Sequence, residues 1–246
     1  NRKRGIGRYS IDLTKALINY YPENEYILFY SSALQDLKND FLLELNNKNL
    51  NLVFFQCPSL GDLNESFDAE FSNLWASTQL RSYALSIINA DIILITSYFE
   101  GFRNNLLVTH DLSFKLPPIV SIMYDLIPLI NKEIYLNNDQ EYKFFYLKRI
   151  DQVSNLDGLL SISLSSKNEA SKYLNIDPEY IYNISSACDV EKFSKGFYSY
   201  KTENKSLGKF ILYCGANDPR KNLYRLIRAY SLLPVNIIVK HKLVLA

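Results

Sequence analysis

YCGANDPRKNLYRLIRAY, residues 213–230, sets the fold class of this chain. An apolar run, Phe210–Cys214, ends in Gly215, and a short turn with a helix start inside it follows. Asp218 has the side chain of a cap, and Pro219 suits a first helical position, where an N–H would go unpaired anyway. Leu223, Leu226, Ile227 and Tyr230 then fall on one helical face. Arg220 and Lys221 are expected in the first turn of this helix, where unpaired N–H groups and the positive dipole end favour an anion. Two cations there are locally unfavourable. A negative ligand between them, most simply a phosphate or diphosphate, relieves the repulsion. The plainer alternative is a solvated basic turn.

Working outward, strands and helices alternate, which predicts an α/β fold with a mainly parallel sheet. Tyr9, Leu13, Ala16, Leu17 and Tyr20 form a helical stripe, followed by a strand at Tyr26–Tyr30. Leu34, Leu37, Phe41, Leu42 and Leu45 predict a second helix, Leu50–Phe55 a strand, and Pro58–Glu70 a polar loop. A long helix is expected over Phe71–Ile88, then buried strands at Asp91–Thr96 and Ile119–Met123. A helix runs from about Asn138 to Ser154, and strands are expected at Gly158–Ser163 and Ile181–Ile184. Between those strands Ser166 and Glu169 have capping-box spacing for a helix ending at Leu174. Residues 1–194 thus read as one Rossmann-like domain, 195–209 as a polar, aromatic linker, and 210–246 as the start of a second such domain. Two such domains face each other across a cleft at the carboxyl ends of their strands, where open α/β sheets bind ligands.

Composition narrows the function classes. With 246 residues, 48% hydrophobic and 22% charged, the chain is globular rather than disordered. A net charge of +1 requires no polyanion, so nucleic acid is not an expected partner. The three cysteines, Cys57, Cys188 and Cys214, lack metal or redox spacing and read as reduced thiols of a cytoplasmic protein. The basic start NRKRGIGRYS has no apolar stretch behind it, and no apolar run is long enough to span a bilayer. The chain opens on Asn1 and ends in an apolar run, so it reads as a piece of a longer protein.

Several residues have chemistry in their pattern. Gly5-Ile6-Gly7-Arg8 precedes a helix; two glycines let backbone approach a phosphate or sugar, and Arg8 adds charge. A dinucleotide fingerprint needs a third glycine where Ser10 stands and an acid where Ser31 follows the strand, which counts against NAD. Tyr124-Asp125 directly follows a predicted strand, a place that faces the cleft, although a structural Asp capping a local turn fits the same pattern. Ser163 lies where a strand turns into a helix, either as a cleft contact or as a cap. Gly215 and Asn217 are further cleft candidates. His110-Asp111 is read as loop surface, because adjacent residues seldom face each other. His241 is expected to be exposed. Tyr142, Phe145, Tyr146 and Arg149 form a stripe that is either a core face or a surface for a lipid-linked acceptor or membrane interface.

Taken in order, GIGRYSIDL (5–13), YDLIPL (124–129), SISLSSKNEASKYL (161–174) and YCGANDPRKNLYRLIRAY resemble the retaining glycosyltransferases of the GT-B fold, in the family called glycosyl transferases group 1. The resemblance is strongest to its bacterial mannosyl- and rhamnosyltransferase-like members, which build surface polysaccharide. It implies a nucleotide-diphosphate sugar donor, with GDP-mannose as the suggested choice, and a glycan or lipid-linked acceptor at the inner face of the membrane. Lys221 matches the family's diphosphate-binding lysine and Arg220 its basic neighbour. Gly5, Gly7 and Arg8 match the loop facing donor phosphate and acceptor, and Tyr124-Asp125 falls where many members have a catalytic His-Asp. Tyr124 replaces that His, and Ala216-Asn217 follow Gly215 where many members have an arginine. The family's Glu-x7-Glu signature would lie beyond residue 246; Glu133 and Glu141 match its spacing but read as solvated surface. No metal is expected, because basic residues take the departing diphosphate's charge. Two other classes stay open: a non-catalytic sugar- or acceptor-binding fragment, and a nicotinamide-dependent oxidoreductase.

Overall fold

Parallel strands cannot be joined by a tight turn, so each neighbouring pair needs a long crossover. In a computed structural model describing residues 5–31, 49–55, 67–102, 106–188, 190, 208–215 and 218–246, the chain supplies them. It divides into two compact units, Asn1–Cys188 and Asp189–Ala246. The predicted helix over Leu34–Leu45, most of the polar loop after Pro58, Cys57, and the linker 195–209 apart from Gly208 and Lys209 lie outside the described residues.

In the first unit, β3 (Ile93–Ile95), β4 (Ile119–Met123), β5 (Gly158–Ser161) and β6 (Ile181–Asn183) form one parallel sheet in sequence order. Register pairs Ile93 with Ile119, Val120 with Gly158 and Leu159 with Ile181. The strands are continuous apolar runs, as a sheet covered on both faces requires. Ile95, Ile119, Met123, Leu126, Val153, Leu159, Ala170, Leu174 and Ile181 form its core. Each large member contributes roughly 1.5–3 kcal/mol through burial.

The helices follow the predicted order. Before the sheet come α1 (Gly5–Tyr20) and α2 (Phe67–Ile87); after β4 come the short turns α3 (Ile127–Ile130) and α4 (Lys132–Tyr135), then α5 (Gln140–Val153), and after β5 comes α6 (Leu164–Leu174). Helix α2 begins at Phe67, inside the stretch read as loop. β1 (Tyr26–Ser31) and β2 (Leu50–Phe55) form a separate parallel pair, and Ile18 of α1 packs against Tyr26, Leu28, Tyr30 and Leu50. The Tyr26 hydroxyl donates to the carbonyl of Leu17 at 2.7 Å, fixing the end of α1 on this pair. Among the described residues no helix is long and apolar enough to cross a membrane.

One expectation is corrected here, and one pair of alternatives is decided. The cap of α6 is Ser163, whose Oγ accepts from Ser166 N at 3.0 Å; the Ser166–Glu169 capping box does not form. Ser166 is occupied elsewhere, because its hydroxyl donates to the carbonyl of Tyr124 at 2.6 Å. The α5 stripe turns inward: Tyr146 and Arg149 are buried, Tyr146 stacks on Phe99, and Tyr142 and Phe145 meet Phe102. It is a core face. Glu133 and Glu141 are exposed, as read.

The second unit holds β7 (Lys209–Tyr213) and β8 (His241–Leu245), paired in parallel with Lys209 opposite His241. Between them lie a 3-10 turn (Pro219–Lys221), α7 (Leu223–Ser231) and α8 (Val235–Ile238). His241 is half-buried rather than exposed, its Nδ1 3.3 Å from the carbonyl oxygen of Ile237. Cys188 and Cys214 are free thiols.

Gly101 marks a close approach. Its φ is +103°, and a Cβ there would lie 2.4 Å from the backbone oxygen of Leu106. Gly101→Ala is expected to lower stability by about 1–3 kcal/mol, read as a reduced urea midpoint with an unchanged slope.

Candidate functional site

The carboxyl ends of β3, β4 and β5 bring together residues that the sequence scatters over more than half the chain. Tyr124 leaves the end of β4, and its hydroxyl donates to the carbonyl of Thr96, just past β3, at 3.0 Å. Ser10 Oγ lies 3.1 Å from the same hydroxyl and also donates to the carbonyl of Ile6 at 2.9 Å. The ring of Tyr9 meets that of Tyr124 edge-on at 5.9 Å, and its hydroxyl donates to the carbonyl of Ser185 beyond β6 at 3.1 Å. Burial pushes the phenols of Tyr9 and Tyr124 above the usual tyrosine range; for Tyr124 the bond from Ser10 opposes it. Both are therefore neutral hydroxyls near pH 7.

Gly5-Ile6-Gly7-Arg8 is not a turn ahead of the helix, as its glycines suggested, but the first turn of α1 itself. Among the described residues a Cβ on Gly5 would meet nothing within 4 Å, so the backbone there is open to close approach. Tyr9 and Ser10, one turn further on, hold this helix start against the carboxyl ends of the sheet. Asp125 Oδ1 accepts from Ile127 N at 3.0 Å, the turn-capping arrangement weighed for it, and the side chain stays half-buried beside α5. Its charge helps burial raise the phenols of Tyr142 and Tyr146. Ser163, as the cap of α6, completes the rim after β5. The structure thus gathers Gly5–Ser10, Tyr124, Asp125 and Ser163 at one end of the sheet. Tyr9 and Thr96 were missed as members of this arrangement, and their signal was only the aromatic and hydroxyl residues flanking the glycines and strands.

In the second unit, Asp218 caps the 3-10 turn and accepts from Arg220 N at 2.9 Å. The Arg220 guanidinium folds back on the same carboxylate, with Nε 3.0 Å from Oδ1 and Nη2 3.0 Å from Oδ2. Asp218 thus supplies Arg220 with an anion from within the turn, a partner that neither the bound-anion nor the solvated-turn reading included. Arg220 and Lys221 also precede the α-helix rather than opening it, because Asn222, at φ +52°, separates their turn from α7. Lys221 is exposed. A Cβ on Gly215 would meet the Tyr213 hydroxyl at 3.0 Å, so that position is tight. Asn217 lies outside the described residues.

His110 is buried, not loop surface. Its Nδ1 is 3.3 Å from the hydroxyl of buried Tyr98. The cause is α2, whose buried Arg81 donates to the carbonyl of Thr109 at 2.8 Å and draws this segment inward. Burial, with the Arg81 charge, holds the imidazole pKa down to about 4 from its ordinary 6.5, against smaller opposing effects of Asp157 and Asp111. Asp111 is held below the carboxylate range, chiefly by the hydrogen bond from Gln79 and then by the backbone N–H of Ser113.

No family model matches the chain. Along its whole length it is 27% identical to a serotype-specific mannosyltransferase WbdA of Escherichia coli, of which it covers 30%. A second protein of that name and organism is 32% identical over 176 residues, which are 70% of this chain and 22% of that relative. The chain therefore spans less than a third of the length of these curated relatives. It is an α/β protein with parallel sheets, similar to part of a bacterial glycosyltransferase.

The His110 shift has a direct consequence. Between pH 6.5 and about 4 the unfolded chain binds a proton that the fold does not, so stability falls as pH drops through that window and is constant with respect to this group above it. Urea midpoints measured from pH 7 to 4 are expected to fall more steeply for the native chain than for His110→Gln. With only two histidines in the chain, NMR titration is expected to show one ring still neutral near pH 5.

Proposed function

We propose that this chain is part of a glycosyltransferase that moves a sugar, in this reading mannose, from a nucleotide-diphosphate donor to a glycan or lipid-linked acceptor in bacterial surface polysaccharide synthesis. The observation that carries the reading is the similarity to a mannosyltransferase along the entire chain. The arrangement at the carboxyl ends of the sheet supports it, because ligands of open parallel sheets bind there.

In this reading the protein's own work is positioning and charge stabilisation, with retention at the anomeric carbon. Lys221 is the cation for the donor diphosphate. Arg220, already paired with Asp218, orients that turn and adds charge at its edge. The first turn of α1, with Gly5, Gly7 and Arg8, offers backbone N–H groups to a phosphate or a sugar hydroxyl. Tyr124 stands at the reacting end as a neutral hydroxyl, a donor or acceptor of hydrogen bonds but not an imidazole-like base near pH 7. Asp125 lies beside it as the carboxylate nearest the transferred sugar; Ser163 in the first unit, and Gly215 and Asn217 in the second, are proposed as further ligand contacts. The binding of the departing diphosphate by cations needs no metal in this scheme.

The short second unit, with two paired strands among the described residues, favours one further reading: these 246 residues bind donor or acceptor but turn over slowly or not at all.

Calorimetric titration with GDP, UDP and NAD tests the proposal. One nucleoside diphosphate is expected to bind, and Lys221→Ala to weaken it about tenfold or more, the worth of one charge-assisted hydrogen bond. Binding of NAD alone would overturn the glycosyltransferase reading. Binding of neither GDP nor UDP would remove the donor site from this chain.

A further inference from the structure

A second concavity, sharing no residue with the arrangement around Tyr124, opens between α2, residues 109–112 and the end of α5. It has a volume of about 370 Å³, near the lower end of small-ligand pockets, which suits roughly one or two hexose rings. Trp75 lies on its wall with 61% of its surface exposed. An indole left this open is a ready platform for the apolar face of a ligand.

The rest of the wall is mixed: Leu74, Leu112 and Tyr98 extend its apolar part, and polar side chains are set among them. Gln79 and Asn155 bring amides, Asp111 and Asp151 carboxylates, and Thr78 a hydroxyl. An apolar ligand would take these groups, the Asp151 carboxylate above all, out of water without offering them a hydrogen bond. Among the described lining residues a phosphate or other anion would meet two carboxylates against one cation, Lys148. A neutral ligand with hydroxyls on its edges and C–H groups on its faces satisfies both the amide and carboxylate groups and the indole.

The wall is also pre-organised, which lowers the entropic cost of binding. Thr78 Oγ1 and Thr109 Oγ1 lie 2.9 Å apart, joining α2 to the neighbouring segment. Gln79 donates to Asp111, and Asp111 Oδ1 accepts from Ser113 N at 2.8 Å. Asn155 Nδ2 donates to the carbonyl of Asp151 at 2.8 Å. The Asp151 carboxylate has no partner among the described residues.

We propose that this cavity is a carbohydrate-binding subsite for a neutral saccharide, with Trp75 as platform and Asp151, Asn155 and Asp111 as hydroxyl partners. The assignment rests on the cavity's own chemistry; only the first choice of probe, a mannose oligosaccharide, rests on the proposed function. Such a subsite holds a glycan at a place separate from the residues around Tyr124.

Trp75 is the sole tryptophan of the chain, so its fluorescence reports on this cavity alone. The full chain is titrated with α-linked mannotriose, and with maltotriose and cellotriose for comparison, calorimetry alongside catching binding that leaves the emission unchanged. At least one trisaccharide is expected to bind saturably and shift the emission. Asp151→Ala and Asn155→Ala are each expected to weaken it about threefold to tenfold, the worth of one hydrogen bond, with circular dichroism unchanged. Binding of none of the three sugars to folded chain would overturn the proposal. So would undiminished binding by both folded variants. GDP titration of the same samples separates this from the donor reading: sugar binding without GDP binding leaves the subsite standing and removes the donor site, and the reverse removes the subsite alone.

Discussion

The hydroxyl of Tyr124 is the point on which the first unit turns. It joins the end of β4 to the backbone beyond β3 and to Ser10 of α1, so one oxygen ties together three segments distant in sequence. Each bond is worth only about 0.5–1.5 kcal/mol. Their collective effect is to set the described start of α1 against the end of a parallel sheet. The carbonyl of the same residue accepts from Ser166, so Tyr124 also positions α6. A histidine here could not make the same set of contacts, because its ring nitrogens lie closer to the backbone than a phenol oxygen does.

A different constraint governs the interior between α2 and α5. Arg81 and Arg149 are both buried, and among the described residues neither has a carboxylate partner. Burial lowers each guanidinium to about 10, so both stay charged at neutral pH. Carbonyls and aromatic rings compensate. Arg149 lies over Phe145 at 4.9 Å and Tyr98 at 5.9 Å, and Arg81 over Phe29 at 5.9 Å. Contacts of this kind are worth about 0.5–2 kcal/mol each. Among the described residues the buried Arg149 Nε has no hydrogen-bond partner. Burial first, and then the charge of Arg81, explain why His110 stays neutral.

The alternation of strands and helices was legible because parallel strands read as continuous apolar runs. The clustering of Gly5–Ser10, Tyr124 and Ser163 was legible from one rule, that loops after strands share an end of the sheet. What escaped the sequence were choices made by tertiary partners. Ser163 and Ser166 were equal candidates for capping until Tyr124 claimed one of them. His110-Asp111 looked like surface because nothing local announces that Arg81, nearly thirty residues earlier, will bind Thr109. The Arg220–Lys221 pair was read as charge without compensation because the reach of a guanidinium back to Asp218 depends on a backbone turn, not on spacing alone.

Asn222 gives the second unit a property that a continuous helix would lack. Its left-handed backbone interrupts the hydrogen-bond ladder between the Pro219–Lys221 turn and α7. The direction in which Lys221 projects is therefore governed by a single pair of dihedral angles rather than by the axis of α7. The packing of Leu226 and Tyr230 and the aim of the lysine become separately adjustable traits. A lineage of such proteins can re-aim this lysine by changes at one joint, while the helix behind it keeps its seat.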